Sequence, residues 1–168
     1  MTNLFISSTH NPKIKNLLLL QQKSSERRAQ NKFVAEGKRE LSHCINAGLK
    51  IDSIFYCPAI LGKGENADIL TKLASTTTRY EVSEDVYNKL AYRESTEGIL
   101  AEVFTPNQNL ENLKIGTKPL IIVMESVEKP GNLGAVLRSA DACGADAVIV
   151  CDPLTDLYNP NLIRSSIG

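Results

Sequence analysis

One segment constrains the fold more than any other. Residues 123–153 read VMESVEKPGNLGAVLRSADACGADAVIVCDP, preceded by Leu120, Ile121 and Ile122. Leu120–Met124 is a continuous apolar run, the pattern of a strand buried on both faces of a parallel sheet. Ala135–Cys143 reads as a helix, and Ala147–Cys151 as a second buried strand. Strand, loop, helix and strand within about 32 residues make a right-handed βαβ unit. Ligands of such sheets bind beyond the carboxyl ends of the strands, which here is the loop Glu125–Asn132. Gly131 and Gly134 allow a close backbone approach there. Asn132 either caps the helix or presents its amide to a ligand, and Arg138 follows six residues later. The loop is neither GxGxxG nor a P-loop, so neither a dinucleotide nor a triphosphate site is indicated.

The preceding chain alternates on a shorter period. Asn11-Pro12 starts a helix with Ile14, Leu17 and Leu18 on one face. Glu26–Lys32 continues it or forms a loop. Phe33–Ala35 is a short strand and Lys38–Ala47 a helix closed by Gly48. Ile51–Cys57 is a strand, Ala67–Ala74 a helix and Thr77–Val82 a strand. Ser83 caps a helix over Glu84–Ala91, and Gly98–Phe104 is a strand. This is the pattern of a small α/β domain. Thr105–Pro119, rich in Pro, Asn and Gly, reads as a linker. The expected division is a basic helical segment over 1–32, an α/β domain over 33–105, a linker over 106–118 and a second domain over 119–168.

The 168 residues carry 19 basic and 19 acidic side chains, so the net charge is zero. Basic residues nevertheless concentrate at Lys13, Lys15, Lys23, Arg27, Arg28, Lys32, Lys38 and Arg39, opposed only by Glu26 and Glu36. A local basic face of this kind suits a nucleic acid, and equally a solvated surface helix. Cys44, Cys57, Cys143 and Cys151, with His10 and His43, do not have zinc spacing, so no metal is expected. No apolar run approaches a membrane span and no secretory layout opens the chain, which points to a cytoplasmic protein without a membrane partner.

PGNLGAVLRSADACGADAVIV resembles the first signature motif of the SpoU/TrmH family of RNA ribose methyltransferases, through Asn132, Gly134, Arg138, Ala140 and Gly144. NPNLIRSSIG resembles the family's Asn-Pro…Arg-x-Ser-x-Gly segment, through Asn159, Pro160, Arg164, Ser165 or Ser166, and Gly168. FVAEGKRELSHCINAG, with Glu36, Gly37 and Arg39, and STEGILAEV, around Gly98, resemble the small substrate-binding domain that precedes the catalytic one. The resemblance implies a parallel α/β SPOUT domain tied in a trefoil knot, working as a homodimer. It also implies S-adenosyl-L-methionine as cofactor and a ribose 2′-hydroxyl of tRNA or rRNA as acceptor.

The resemblance makes Arg138 the catalytic candidate, with Asn132 orienting Arg138 or the ribose. Arg39, Arg93, Arg164 and Ser165 become candidates for RNA contact, the last two at the start of a helix. The family's Gly-Asn-Glu and Ser-Leu-Asn motifs do not occur in the chain. The cofactor-binding residues are therefore expected beyond Gly168, the second domain is expected to be incomplete, and the 168 residues alone are expected to be inactive. The other readings are a non-catalytic RNA-binding module and an α/β small-molecule binder. The signature at 131–144 argues against the second of these.

Overall fold

A computed structural model describes residues 4–62, 68–92 and 97–168. The chain forms two compact units that divide between Thr105 and Pro106.

The first unit is a five-stranded mixed sheet. Its elements are β1 (Leu4–Ile6), α1 (Pro12–Gln22), α2 (Ser24–Gln30), β2 (Lys32–Glu36), α3 (Lys38–Asn46), β3 (Ile51–Tyr56), α4 (Pro58–Leu61), β4 (Thr78–Val82), α5 (Glu84–Leu90) and β5 (Ile99–Phe104). The strand order is β1-β4-β3-β5-β2, with β1 and β3 parallel to β4, and β5 antiparallel to both β3 and β2. The expected caps are in place. Asn11 Oδ1 accepts from the Lys13 N–H at 2.9 Å, and Ser83 Oγ from the Val86 N–H at 3.4 Å.

The N-terminal helix is part of this unit rather than a separate segment. Ile14, Leu17 and Leu20 of α1 are fully buried against Val34, Phe55, Val82, Val86 and Tyr87. The expected helix over Ala67–Ala74 is described from Asp68 onward and holds a single 3₁₀ turn, Asp68–Leu70. Ile69 and Leu73 are buried there, but the Thr/Ser-rich run after Leu73 is too poor in helix formers to extend one costly first turn.

The second unit contains β6 (Ile121–Glu125), α6 (Pro130–Ala142), β7 (Ala147–Cys151) and α7 (Pro160–Ser166). β6 and β7 pair in parallel from Ile121↔Ala147 to Glu125↔Cys151, as the βαβ reading requires. α6 starts five residues earlier than the sequence suggested. Pro130 fills its first position, where a missing N–H costs nothing, and both Gly131 and Gly134 lie inside it. Gly144 (φ 66) ends it, with the Ala145 N–H donating to the Ala140 carbonyl at 2.9 Å.

Candidate functional site

The carboxyl ends of β6 and β7 turn sharply. Ser126 (φ 53) and Asp152 (φ 45) take left-handed backbone directly after their strands, and the Ser126 N–H donates to the Cys151 carbonyl at 3.1 Å. The opposite end is closed by Asp146. Its Oδ2 accepts from the Leu120 N–H at 2.8 Å, and its own N–H donates to the Leu120 carbonyl at 2.9 Å. With that end fastened, the loop 126–129 is the open face of the unit. Met124–Lys129 and Asn132 line a shallow cleft of ≈ 400 Å³ there.

Asn132 lies in the first turn of α6 and is exposed. The residue at the cap position is Lys129, so Asn132 does not cap the helix, and its amide is presented to solvent beside the cleft. Arg138 is also exposed. Six residues on a helix separate two positions by about 9 Å along the axis and about 120° around it. Among the described residues no hydrogen bond links the two side chains.

Gly134 explains why the helix tolerates a glycine at that position. A Cβ there would collide with the Ser165 hydroxyl, and would stand 2.7 Å from Ser165 Cβ and 2.9 Å from its carbonyl carbon. α6 and α7 thus touch backbone to side chain, and Leu133 and Ala140 on the first and Leu162 on the second are buried. Ser165 Oγ donates within this contact, with Leu162 O at 3.0 Å and Pro130 O at 3.3 Å. Arg164 and Ser165 lie in the last turn of α7, not at its start. The helix begins at Asn159, whose side chain accepts from the Asn161 N–H at 2.9 Å, so no free helix N-terminus is offered by these two residues. Arg164 is exposed, whereas Ser165 is half-buried. Burial and the neighbouring Asp156 push the Tyr158 phenol above its ordinary pKa.

In the first unit the two Glu-Gly motifs meet at one end of the sheet. Gly37 (φ 106) leads from β2 into α3, and its N–H donates to the Ile99 carbonyl at 3.1 Å. Glu97 Oε2 accepts from the Lys38 N–H at 2.5 Å, and both Glu36 oxygens lie 3.2 Å from the Tyr92 N–H. Gly98 (φ 76) is pressed against α4, where a Cβ would stand 2.6 Å from Leu61 Cα. Its N–H donates to the hydroxyl of the fully buried Tyr87 at 2.9 Å, and burial pushes that phenol up to about 12. Arg39 opens on this end of the sheet, with Nη2 2.9 Å from Glu40 Oε1. Arg93 lies outside the described residues. The motifs carry the two glutamates, but nothing in the sequence singles out Tyr92.

The basic segment is less of a face than its composition suggests. Arg27 is buried, with Nη1 donating to the Leu20 and Gln21 carbonyls at the end of α1. Lys32 is held by Asp52 at 2.7 Å and Glu102 at 3.6 Å. Lys13, Lys15, Lys23, Arg28 and Arg39 remain exposed. Among the described residues no group of His, Cys, Asp and Glu could hold a metal, and no helix is long and apolar enough to cross a membrane.

Two family models match the chain: the MRM3-like substrate binding domain over residues 11–101 and the SpoU rRNA Methylase family over residues 119–168. The chain belongs to the SpoU family. It is 32% identical over 163 residues to the 23S rRNA (guanosine(2553)-2′-O)-methyltransferase RlmP of Bacillus subtilis, covering 97% of this chain and 60% of that protein. A solved RNA 2′-O ribose methyltransferase superposes with a TM-score of 0.82 at 38% identity, covering 98% of this chain and 62% of that one. The SpoU methyltransferase AviRb of Streptomyces viridochromogenes, solved with the cofactor AdoMet, shares the fold at a TM-score of 0.83 and 24% identity, covering 95% of this chain and 60% of that one. The chain thus spans about 60% of the length of these SpoU relatives.

Proposed function

We propose that the protein carrying this sequence transfers a methyl group from S-adenosyl-L-methionine to a ribose 2′-hydroxyl of ribosomal RNA. The observation that carries the reading is a juxtaposition. The exposed Arg138 and Asn132 stand on the helix that follows the open end of a parallel βαβ unit, in a chain that aligns over 97% of its length with a 23S rRNA 2′-O-methyltransferase. The first unit, matched by a substrate-binding domain model, is read as the part that holds the RNA.

The described residues do not by themselves fit the whole donor. The cleft along Met124–Lys129 and Asn132 is shallow, and one wall cannot enclose a cofactor with polar groups at both ends. The roles assigned to this chain therefore concern the acceptor. A ribose hydroxyl is a poor acid; as the methyl arrives its proton passes to solvent water, and its oxygen gains negative charge on the way. A guanidinium is a donor-only cation, so Arg138 acts by charge and hydrogen bonding rather than as a base. It grips the adjacent phosphate by a bidentate contact and stabilises the developing alkoxide. The angular separation on α6 supports a role for Asn132 in orienting the ribose over one in orienting Arg138 of the same helix.

The proposal extends, through the resemblance, to a knotted SPOUT domain, a homodimer and a cytoplasmic location. A second reading, RNA binding without catalysis, is favoured by the shallow cleft. The test is Arg138→Ala in the protein carrying this sequence. Transfer falls at least a hundredfold, while S-adenosylmethionine binding stays within a factor of about three. Near-normal turnover removes Arg138 from the chemistry. RNA binding with no turnover in the unmutated protein selects the second reading.

A further inference from the structure

We propose that the end of the sheet where β2 passes into α3 contacts an unpaired nucleotide of the RNA, with Tyr92 stacking on the base and Arg39 holding a flanking phosphate. The inference rests on the RNA reading above and deepens it, because it names the kind of RNA, a loop or bulge rather than a continuous duplex.

Among the described aromatic residues only Phe5 and Tyr92 are strongly exposed, at 63% and 49%. Phe5 lies on strand β1, opposite Glu81 of β4, whereas Tyr92 lies outside the sheet with both oxygens of Glu36 3.2 Å from its N–H. An exposed ring adds little to packing, yet the backbone that carries this one is tied to Glu36. Arg39 shows the same combination. Its side chain is half exposed, while the carboxylate that holds it, Glu40, is 1% exposed. A buried carboxylate anchors one end of the guanidinium and leaves the other edge toward solvent. Less side-chain freedom is then lost when a phosphate arrives, and a guanidinium fork suits phosphate better than a point charge does.

The two groups are neighbours through one short stretch of chain. Arg39 follows Glu36 by three positions, at most about 10 Å of backbone, and Glu36 itself accepts from the Tyr92 N–H. Glu97, through the Lys38 N–H, fixes the start of α3 between them. A ring and a cation carried on the same end of the sheet suit a base and a neighbouring phosphate of one strand. Bases inside a duplex are already stacked and cannot reach a side-chain ring, so the partner is a strand whose base is free.

The experiment measures binding of the 168-residue chain by fluorescence anisotropy to two probes. One is a labelled RNA hairpin with an unpaired loop, and the other is the same strand annealed to its complement as a blunt duplex. The expected result is tighter binding of the hairpin. Tyr92→Ala should weaken hairpin binding roughly ten- to a hundredfold and leave duplex binding unchanged, and Tyr92→Phe should retain both. Arg39→Lys, which keeps a cation beside Glu40 and so protects the fold, should weaken the hairpin severalfold with an unchanged melting temperature. Equal losses on hairpin and duplex overturn the inference, as do variants that bind like the parent. If the parent chain binds neither probe, the RNA reading on which the inference rests falls with it.

Discussion

Gly134 is the position where a single methyl group should report on the architecture around the candidate site. In an isolated helix Gly→Ala stabilises by about 1 kcal/mol. Here the added Cβ meets the Ser165 hydroxyl and stands 2.7 Å from Ser165 Cβ and 2.9 Å from its carbonyl carbon. The hydroxyl can rotate away, but the carbonyl carbon moves only if α7 moves. Overpacking of this kind costs typically ~1–3 kcal/mol, occasionally more. Set against the propensity gain, Gly134→Ala should destabilise the second unit by up to about 2 kcal/mol, or more if α7 detaches. Adding Ser165→Gly removes the two side-chain collisions and leaves the carbonyl contact. The pair should therefore recover part of the loss, with a coupling of about 0.5–3 kcal/mol. Hydrogen exchange of the α6 and α7 amides, with urea unfolding alongside, measures both effects. If Gly134→Ala raises stability by about 1 kcal/mol and leaves exchange unchanged, the two helices do not pack as described.

Other outcomes follow from particular contacts. Arg27→Ala should destabilise the first unit by about 2–4 kcal/mol in thermal or urea melts, because buried carbonyls at the end of α1 lose a charged donor. Lys23→Ala and Arg28→Ala, both at exposed positions, should leave stability within about 0.5 kcal/mol. Tyr87→Phe strips the buried Gly98 N–H of its acceptor and should cost about 1–3 kcal/mol by the same measurement. A thiol reagent at mildly alkaline pH should label Cys143 and Cys151 in the folded chain, and Cys44 and Cys57 only after unfolding. Burial pushes the Cys44 thiol up to about 11 from 9.0, so the folded state keeps a proton that the unfolded chain gives up. Its contribution is present below the ordinary thiol range and is lost as pH climbs through that range toward 11, so melts should show stability falling there. Calorimetry of the 168-residue chain with S-adenosylmethionine should show no saturable heat, since the cleft is one shallow wall.

The local punctuation was legible because each signal acts within a few residues. Asn11-Pro12 and Ser83 start their helices as read, and the two apolar runs pair as parallel strands. What escaped depends on distant partners. β1 is only three residues long and exists through pairing with β4, Leu4↔Tyr80 to Ile6↔Val82. Gly131 and Gly134 look like loop residues until α7 is seen against the helix that contains them. Arg27 and Arg28 are indistinguishable by charge, yet the helical turn buries one and exposes the other. At the candidate site, Asn132 and Arg138 were legible as residues, but their separation around α6 was not. Ser165 was legible as a hydroxyl in a motif, while its engagement with α6 needed the tertiary fold.

The most direct test of the central claim locates the methyl group on the RNA. The protein carrying this sequence is incubated with ribosomal RNA and S-adenosylmethionine labelled in the methyl group, and the RNA is hydrolysed in alkali. Alkaline cleavage needs a free 2′-hydroxyl, so a ribose methylated there leaves its label in an alkali-resistant dinucleotide. Ribose methylation puts the label in dinucleotides, and Arg138→Ala removes it. Label confined to mononucleotides, which marks a methylated base, or no label in the RNA at all, contradicts the central claim.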